Sequence, residues 1–225
     1  MIFFIDDKKY DYSKKELDDL LISDEGQEGN VYRIGKRAVK IYRPYMLKFR
    51  LDERTTNLLK GMETKRILLP KESVYNLKKE FIGYTTNFIN TKLNKNKIHK
   101  LMKMKKFIEE VKLFEEDVDR LTSENISIAD LNINNIEVSD GIYFFDPGSF
   151  VEEEDGNRFL GCLNRDEVNM FFINEIMSNE LTKKEKTILK NHFSYSNSLS
   201  DMLECENINS DETVHKFVKK IVNKR

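Results

Sequence analysis

The sequence predicts an α+β protein with a small antiparallel-sheet lobe carrying one helix, followed by a larger, mostly helical lobe. Three observations carry this. Over the first 89 residues apolar side chains come in short runs broken by turns, as in half-buried strands. After Phe88 the apolar spacing lengthens to that of amphipathic helices. The two textures meet near residues 89–96, at the polar, Asn-rich "NTKLNKNK". The expected division is therefore 1–89 and 90–225.

Each element has a local reason. "MIFFIDDKKY" reads as a short strand, because its charge follows the apolar run and it lacks the basic lead and length of a secretory signal. "VYRIGKRAVKIY", residues 31–42, reads as two strands around a turn at Gly35-Lys36. Leu47, Leu51, Leu58, Leu59 and Met62 follow at roughly helical spacing. "RILLP" and "EFIGYTTNFI" return to strand character. Ile98, Leu101, Met102, Phe107, Ile108, Val111, Phe114 and Val118 mark one long amphipathic helix. Ile136 and Val138, then Ile142 and Phe144, flank a Ser-Asp-Gly turn. The remainder is helical, with Asn164, Thr182 and Ser210 as expected caps and Glu185 completing a capping box with Thr182.

Composition narrows the function classes. A net charge of -1 exerts no global pull toward nucleic acid or anionic membrane. Three prolines and nine glycines in 225 residues argue against disorder or a repeat array. No apolar run approaches the roughly 18 residues of a membrane-spanning helix. Cys162 and Cys205 sit in unrelated contexts and read as free thiols of a reducing cytoplasm. His99, His192 and His215 are scattered without metal-ligand spacing and read as surface or packing residues. Seven lysines between Lys92 and Lys106 form a basic stretch that could contact RNA, but Glu109 and Glu110 follow directly, and a solvated helix face is the expectation.

The residues able to carry chemistry fall in a definite order. Gly26 and Gly29 in "GQEGNV" would let backbone N–H groups approach phosphates, although a plain glycine turn reads the same way. Lys40 lies in the strand "RAVKIY", on the face opposite Val39 and Ile41, where it could reach a phosphate or simply face solvent. A desolvated lysine needs a carboxylate. Asp52 and Glu53 are the candidates, and Glu53 reaches further. In "IADLNINNIEVSDGIYFFDPGSF", Asp146 ends an apolar strand before Pro147-Gly148, a position suited to a metal ligand. Asn135 would complete an oxygen pair for magnesium, and Asp130 could accept a proton from an attacking hydroxyl. An Asx-turn cluster around a hairpin is the alternative for this segment.

These motifs together resemble the protein-kinase-like superfamily, in its small, atypical bacterial-type forms. "GQEGNV" is similar to the second half of a Gly-rich loop, with Asp24 where the first glycine would stand. "AVK" resembles the V-A-I-K strand, "IADLNINN" the H-R-D-L-x-x-x-N loop, and "DPG" the D-F-G motif. The resemblance implies a bilobal fold, with a nucleotide-binding lobe at 1–89 and a catalytic helical lobe at 90–225. It implies ATP and Mg2+ as cofactors. Gly26, Gly29, Val31, Ala38 and Lys40 would line the nucleotide, and backbone of Thr86, Asn87 and Phe88 would meet the adenine edge. Asn135 and Asp146 would hold the metal. Asp130, Lys40 and Glu53 would be the catalytic set. Departures matter too. Ile128-Ala129 replaces His-Arg, Pro147 replaces the motif phenylalanine, and nothing after Gly148 resembles A-P-E. The expected activity is phosphoryl transfer to a hydroxyl, with a protein Ser/Thr acceptor favoured. A small-molecule acceptor, of the kind used by aminoglycoside kinases, and a pseudokinase scaffold are the alternatives.

Overall fold

A computed structural model describes residues 1–24, 28–47, 51–153, 157–193, 198–206 and 208–224. The chain forms two compact units. The first comprises Met1–Thr64, Leu68–Ile89 and Pro147–Val151, the second Lys65–Ile67, Asn90–Asp146 and Glu152–Arg225.

The first unit is built on a seven-stranded antiparallel sheet. Its strands are β1 (Ile2–Ile5), β2 (Lys8–Asp11), β3 (Leu21–Ser23), β4 (Gly29–Ile34), β5 (Arg37–Tyr42), β6 (Glu72–Tyr75) and β7 (Phe81–Asn87), in the order β2-β1-β6-β7-β5-β4-β3. The β4–β5 hairpin turns at Gly35 and Lys36 as expected, and Gly35 adopts φ +65°, a conformation glycine takes without Cβ strain. One sheet face buries Phe3, Ile5, Tyr32, Val39, Ile41 and Val74 in a single cluster. Leu17 joins it from α1 (Lys14–Leu20), which begins in a reciprocal capping box between Ser13 and Glu16. The helix expected between residues 43 and 64 is the short α2 (Glu53–Lys60). It starts where Asp52 accepts a hydrogen bond from the Thr55 amide at 2.7 Å.

"RILLP" is not a strand. The N–H groups of Lys65, Arg66 and Ile67 all donate to the Asp117 carboxylate, at 2.6 to 3.0 Å. A carboxylate thus satisfies the backbone donors that a sheet ladder would otherwise pair; Lys65–Ile67 belong to the second unit and the chain from Leu68 to the first.

The second unit is organised on α4 (Met104–Ser123). Phe107, Val111, Phe114, Val118 and Leu121 are fully buried along it. Phe114 and Phe107 pack edge-on against Phe172, with centroids 5.2 and 5.6 Å apart. Phe172 opens a π-helical turn, Phe172–Met177, that continues α5 (Leu160–Phe171). The long helix expected from Ile98 onward is instead two. α3 (Ile98–Leu101) stops at Met102, whose backbone is extended. There Val214 N donates to Met102 O at 3.1 Å and Met104 N to Glu212 O at 2.8 Å. This short antiparallel contact takes backbone groups that a continuous helix would pair internally, and it leaves Leu101 half-exposed at 52%.

The remaining elements include β8 (Ile126–Ser127), the hairpin of β9 (Ile136–Val138) and β10 (Ile142–Phe144), α6 (Lys183–Phe193), α7 (Leu199–Cys205) and α8 (Val214–Asn223). The Thr182–Glu185 capping box forms, with Thr182 N donating to Glu185 at 2.8 Å and Glu185 N to Thr182 Oγ1 at 3.3 Å. The cap of α8 is Thr213 rather than Ser210. No helix among the described residues is long and apolar enough to cross a membrane.

Candidate active site

In the first unit, cross-strand register puts Val31 opposite Lys40 and Ala38 opposite Thr86. Directly paired residues project to one face, so Val31, Ala38, Lys40 and Thr86 share the face away from the Val39–Ile41 core. Lys40 is buried, and its ammonium lies 5.5 Å over the Tyr42 ring. Its Nζ donates to Glu28 Oε2 at 2.7 Å.

Glu28, one residue ahead of β4, is a carboxylate that the sequence reading missed. The expected partner, Glu53, is engaged elsewhere. It opens α2 and its Oε1 accepts from the Tyr75 hydroxyl at 2.7 Å. At the first helical position Glu53 lies beside β6, whereas Glu28 leads directly into the strand paired with β5. The Tyr75 hydroxyl is held above its ordinary pKa, first by burial and then by the bond to Glu53.

Gly29 has a packing reason for being glycine. A Cβ there would sit 2.3 Å from the Ile41 carbonyl oxygen. Gly26 lies outside the described residues. Asn87 ends β7 opposite Arg37. Phe88 N donates to Lys36 O at 3.0 Å, and its ring lies 4.2 Å under the Arg33 guanidinium. The Phe88 N–H is therefore engaged by the β4–β5 turn.

In the second unit, Asp130 and Asn135 come together. Asp130 takes φ +63°, a left-handed conformation uncommon outside glycine. Asn135 Nδ2 donates to Asp130 O at 3.2 Å and to Oδ2 at 3.4 Å, while Asn132 Nδ2 donates to Asp130 Oδ1 at 2.9 Å. The loop thus holds both carboxylate oxygens of Asp130. Phe145 N then donates to Asn135 O at 3.0 Å, continuing the β9–β10 pairing in which Phe144 faces Ile136. This bond brings Asp146, the next residue, to the same hairpin end as Asn135.

Three buried polar residues that the sequence reading missed support this loop and hairpin. Asn164, expected as a cap, lies inside α5 and is fully buried. Its Oδ1 accepts from Ile128 N at 2.9 Å, and its Nδ2 donates to Ile126 O at 2.8 Å and Thr122 Oγ1 at 2.9 Å. Glu110, expected as a solvated charge, is fully buried on the inner face of α4. It receives a two-pronged bond from Arg66, Nε at 2.6 Å and Nη2 at 3.0 Å, and a bond from Ile142 N at 2.9 Å. Burial works to lower the Arg66 pKa, but the bond and charge of Glu110 prevail and raise it. Asp117 is the third. Burial pushes its carboxyl up, against the pull of the backbone donors of Arg66, Lys65 and Ile67. The signal was available: Phe107, Glu110, Phe114 and Asp117 recur at spacings of three and four, so both acids fall on the apolar stripe.

Part of the lysine-rich stretch is engaged within the unit. Lys95 donates to Asn134 O at 2.9 Å, Lys100 to Glu180 at 2.6 Å, and Lys106 lies 2.8 Å from Glu110.

No protein-family model and no curated protein matches this chain. Among solved structures it is similar to the kinase Rad53, in a crystal structure of residues 1–466 in complex with AMP-PNP. The superposition has a TM-score of 0.52 at 14% identity and covers 90% of this chain and 59% of that one. This chain thus spans less than two thirds of the structure it resembles. At that identity the likeness speaks to fold: the chain has a kinase-like α+β fold, with an antiparallel-sheet N-terminal part and a helical C-terminal part.

Proposed function

We propose that this chain is an ATP- and Mg2+-dependent phosphotransferase acting on a hydroxyl acceptor, with a protein Ser or Thr favoured. The observation that carries the reading is the hydrogen-bonded trio of Asp130, Asn132 and Asn135, with Asp146 at the end of the adjoining hairpin. A carboxylate and an amide oxygen side by side suit magnesium, which takes oxygen ligands and keeps phosphate oxygens as others. Asn135 and Asp146 would hold the ion, and the ion would neutralise charge on the transferring phosphoryl group. Asp130, oriented from both sides, would accept the hydroxyl proton. Lys40 would contact the phosphates, Val31 and Ala38 would flank the base, and backbone groups of Thr86–Phe88 other than the Phe88 N–H would meet its edge. AMP-PNP in the Rad53 structure supports a nucleotide as the ligand. The exposed thiols of Cys162 and Cys205 agree with a cytoplasmic setting.

A second reading, a nucleotide-binding scaffold without transfer, draws on one observation. The ammonium of Lys40 is already held by Glu28. Incubation with γ-labelled ATP and Mg2+ separates the readings, with label followed on the chain and on casein. Transfer that is lost in Lys40→Ala and in Asp130→Asn supports the enzyme. Undiminished transfer in both variants would remove the assignment of these residues. Nucleotide binding without any transfer would favour the scaffold.

A further inference from the structure

His99 and His215, 116 positions apart in sequence, lie ring to ring with centroids 5.5 Å apart. The folding that joins them is explicit. The antiparallel contact of Met102–Met104 with Glu212–Val214 fixes the end of α3, which carries His99, against the start of α8, which carries His215. A third group arrives on the turn after the π-helical segment. Asn179 Nδ2 donates to Asn96 O at 3.0 Å, tying that turn to the residues just before α3. Glu180 follows at φ +66°. One ligand atom from each of His99, Glu180 and His215 lies within 4.8 Å of the others.

His99 is the decisive residue. It is 1% exposed, and neither ring nitrogen has a hydrogen-bond partner. Its Nε2 lies 3.6 Å from Glu180 Oε2, beyond hydrogen-bond length. A buried imidazole ordinarily donates from one nitrogen and accepts at the other. A buried polar group left without partners points to an ion or water at that place. Burial also lowers the His99 pKa, outweighing Glu180, which acts to raise it.

We propose that His99, His215 and Glu180 bind a divalent transition-metal ion, zinc in the first instance, with a fourth position taken by water. Two imidazoles and one carboxylate suit zinc and exclude magnesium as the preferred guest. Bonds of about 2.0–2.2 Å set tetrahedral ligand atoms about 3.4 Å apart, so no pair need close by more than about 1.4 Å. Glu180 is the ligand freest to adjust. It is held by Lys100 in an exposed pair, at 2.5 and 2.6 Å, and such pairs yield readily. The ion would clamp α3, α8 and the intervening turn together. The site is independent of the residues assigned to phosphoryl transfer.

The test is a titration of the full chain with Co2+, after alkylation of Cys162 and Cys205, followed by visible ligand-field absorption. The expected result is saturable, equimolar absorption that Zn2+ displaces, together with a higher Tm in Zn2+. His215→Gln and Glu180→Gln should each weaken binding at least about tenfold, since losing only an outer-shell partner of a ligand costs that much. Both positions are accessible enough for the variants to fold, which circular dichroism verifies. Asp146→Asn should bind Co2+ as the parent does. Absence of saturable absorption, unchanged affinity in both His215→Gln and Glu180→Gln, or loss of binding in Asp146→Asn would each overturn the proposal.

Discussion

Replacing Asn164 by alanine should loosen the segment that carries Asp130 while leaving every proposed catalytic group in place. The magnitude follows from the three bonds of the Asn164 amide. Truncation strands the Ile128 N–H and the Ile126 carbonyl, and both of these residues are buried. Each orphaned buried group costs about 1–3 kcal/mol. The Thr122 hydroxyl, which accepts from Asn164, is only partly buried and can accept from water instead. The loss is therefore about 2–6 kcal/mol, a large share of the roughly 5–15 kcal/mol available to a folded domain. Urea denaturation followed by circular dichroism reads it as a midpoint lower by about 1 M or more. Phosphoryl transfer should fall with it, because Asp130 lies two residues beyond Ile128. A change below about 0.5 kcal/mol would refute the claim that Asn164 anchors this loop.

Three further outcomes are expected. Glu28→Gln should tighten Mg-ATP binding by up to about tenfold, because Glu28 competes for the Lys40 ammonium and a tenfold change is about 1.4 kcal/mol; Glu53→Gln should leave it nearly unchanged, and calorimetry showing the reverse order would restore Glu53 as the partner. Gly29→Ala should destabilise the sheet by about 1–3 kcal/mol, since its Cβ would press on the Ile41 carbonyl at 2.3 Å; an unchanged urea midpoint would contradict this. Glu185 is held at about 2, first by the Lys219 ammonium and then by the Thr182 amide and hydroxyl. A carboxyl depressed on folding contributes stability above its unfolded value of 4.5 and loses it as pH falls toward about 2. The Tm gap between the parent and Glu185→Gln should therefore narrow over that window, and a gap that widens there would reverse the assignment.

Elements with strong local signals were legible in the sequence. The β4–β5 hairpin, the hairpin bearing Asp146 and the Thr182–Glu185 box each depend on residues within a few positions of one another. The elements that misled depend on distant partners. α3 and α4 form a continuous apolar pattern, and only the chain at Glu212–Val214 interrupts it. "RILLP" has strand-like composition, but its N–H groups go to Asp117, about fifty residues away. β2 and β3, at opposite edges of the sheet, are short and carry little alternation. At the candidate site, residue types and order were readable and partners were not. Lys40 advertised its need for a carboxylate without showing that Glu28 would supply one. The buried Glu110, Asp117 and Asn164 read as surface charge or cap because such residues usually are. Recognising them required treating a polar residue on an apolar stripe as a signal.

The most direct test of the central claim is thermal unfolding with and without saturating ATP and Mg2+, alongside Asp146→Asn. Ligand at about 100 times its dissociation constant adds roughly 2.7 kcal/mol, or on the order of 5–10 °C for a chain of this size. A magnesium-dependent rise of that order is expected in the parent chain, and its loss in Asp146→Asn. An equal rise in both proteins, or none in the parent with either nucleotide or metal, would contradict that claim.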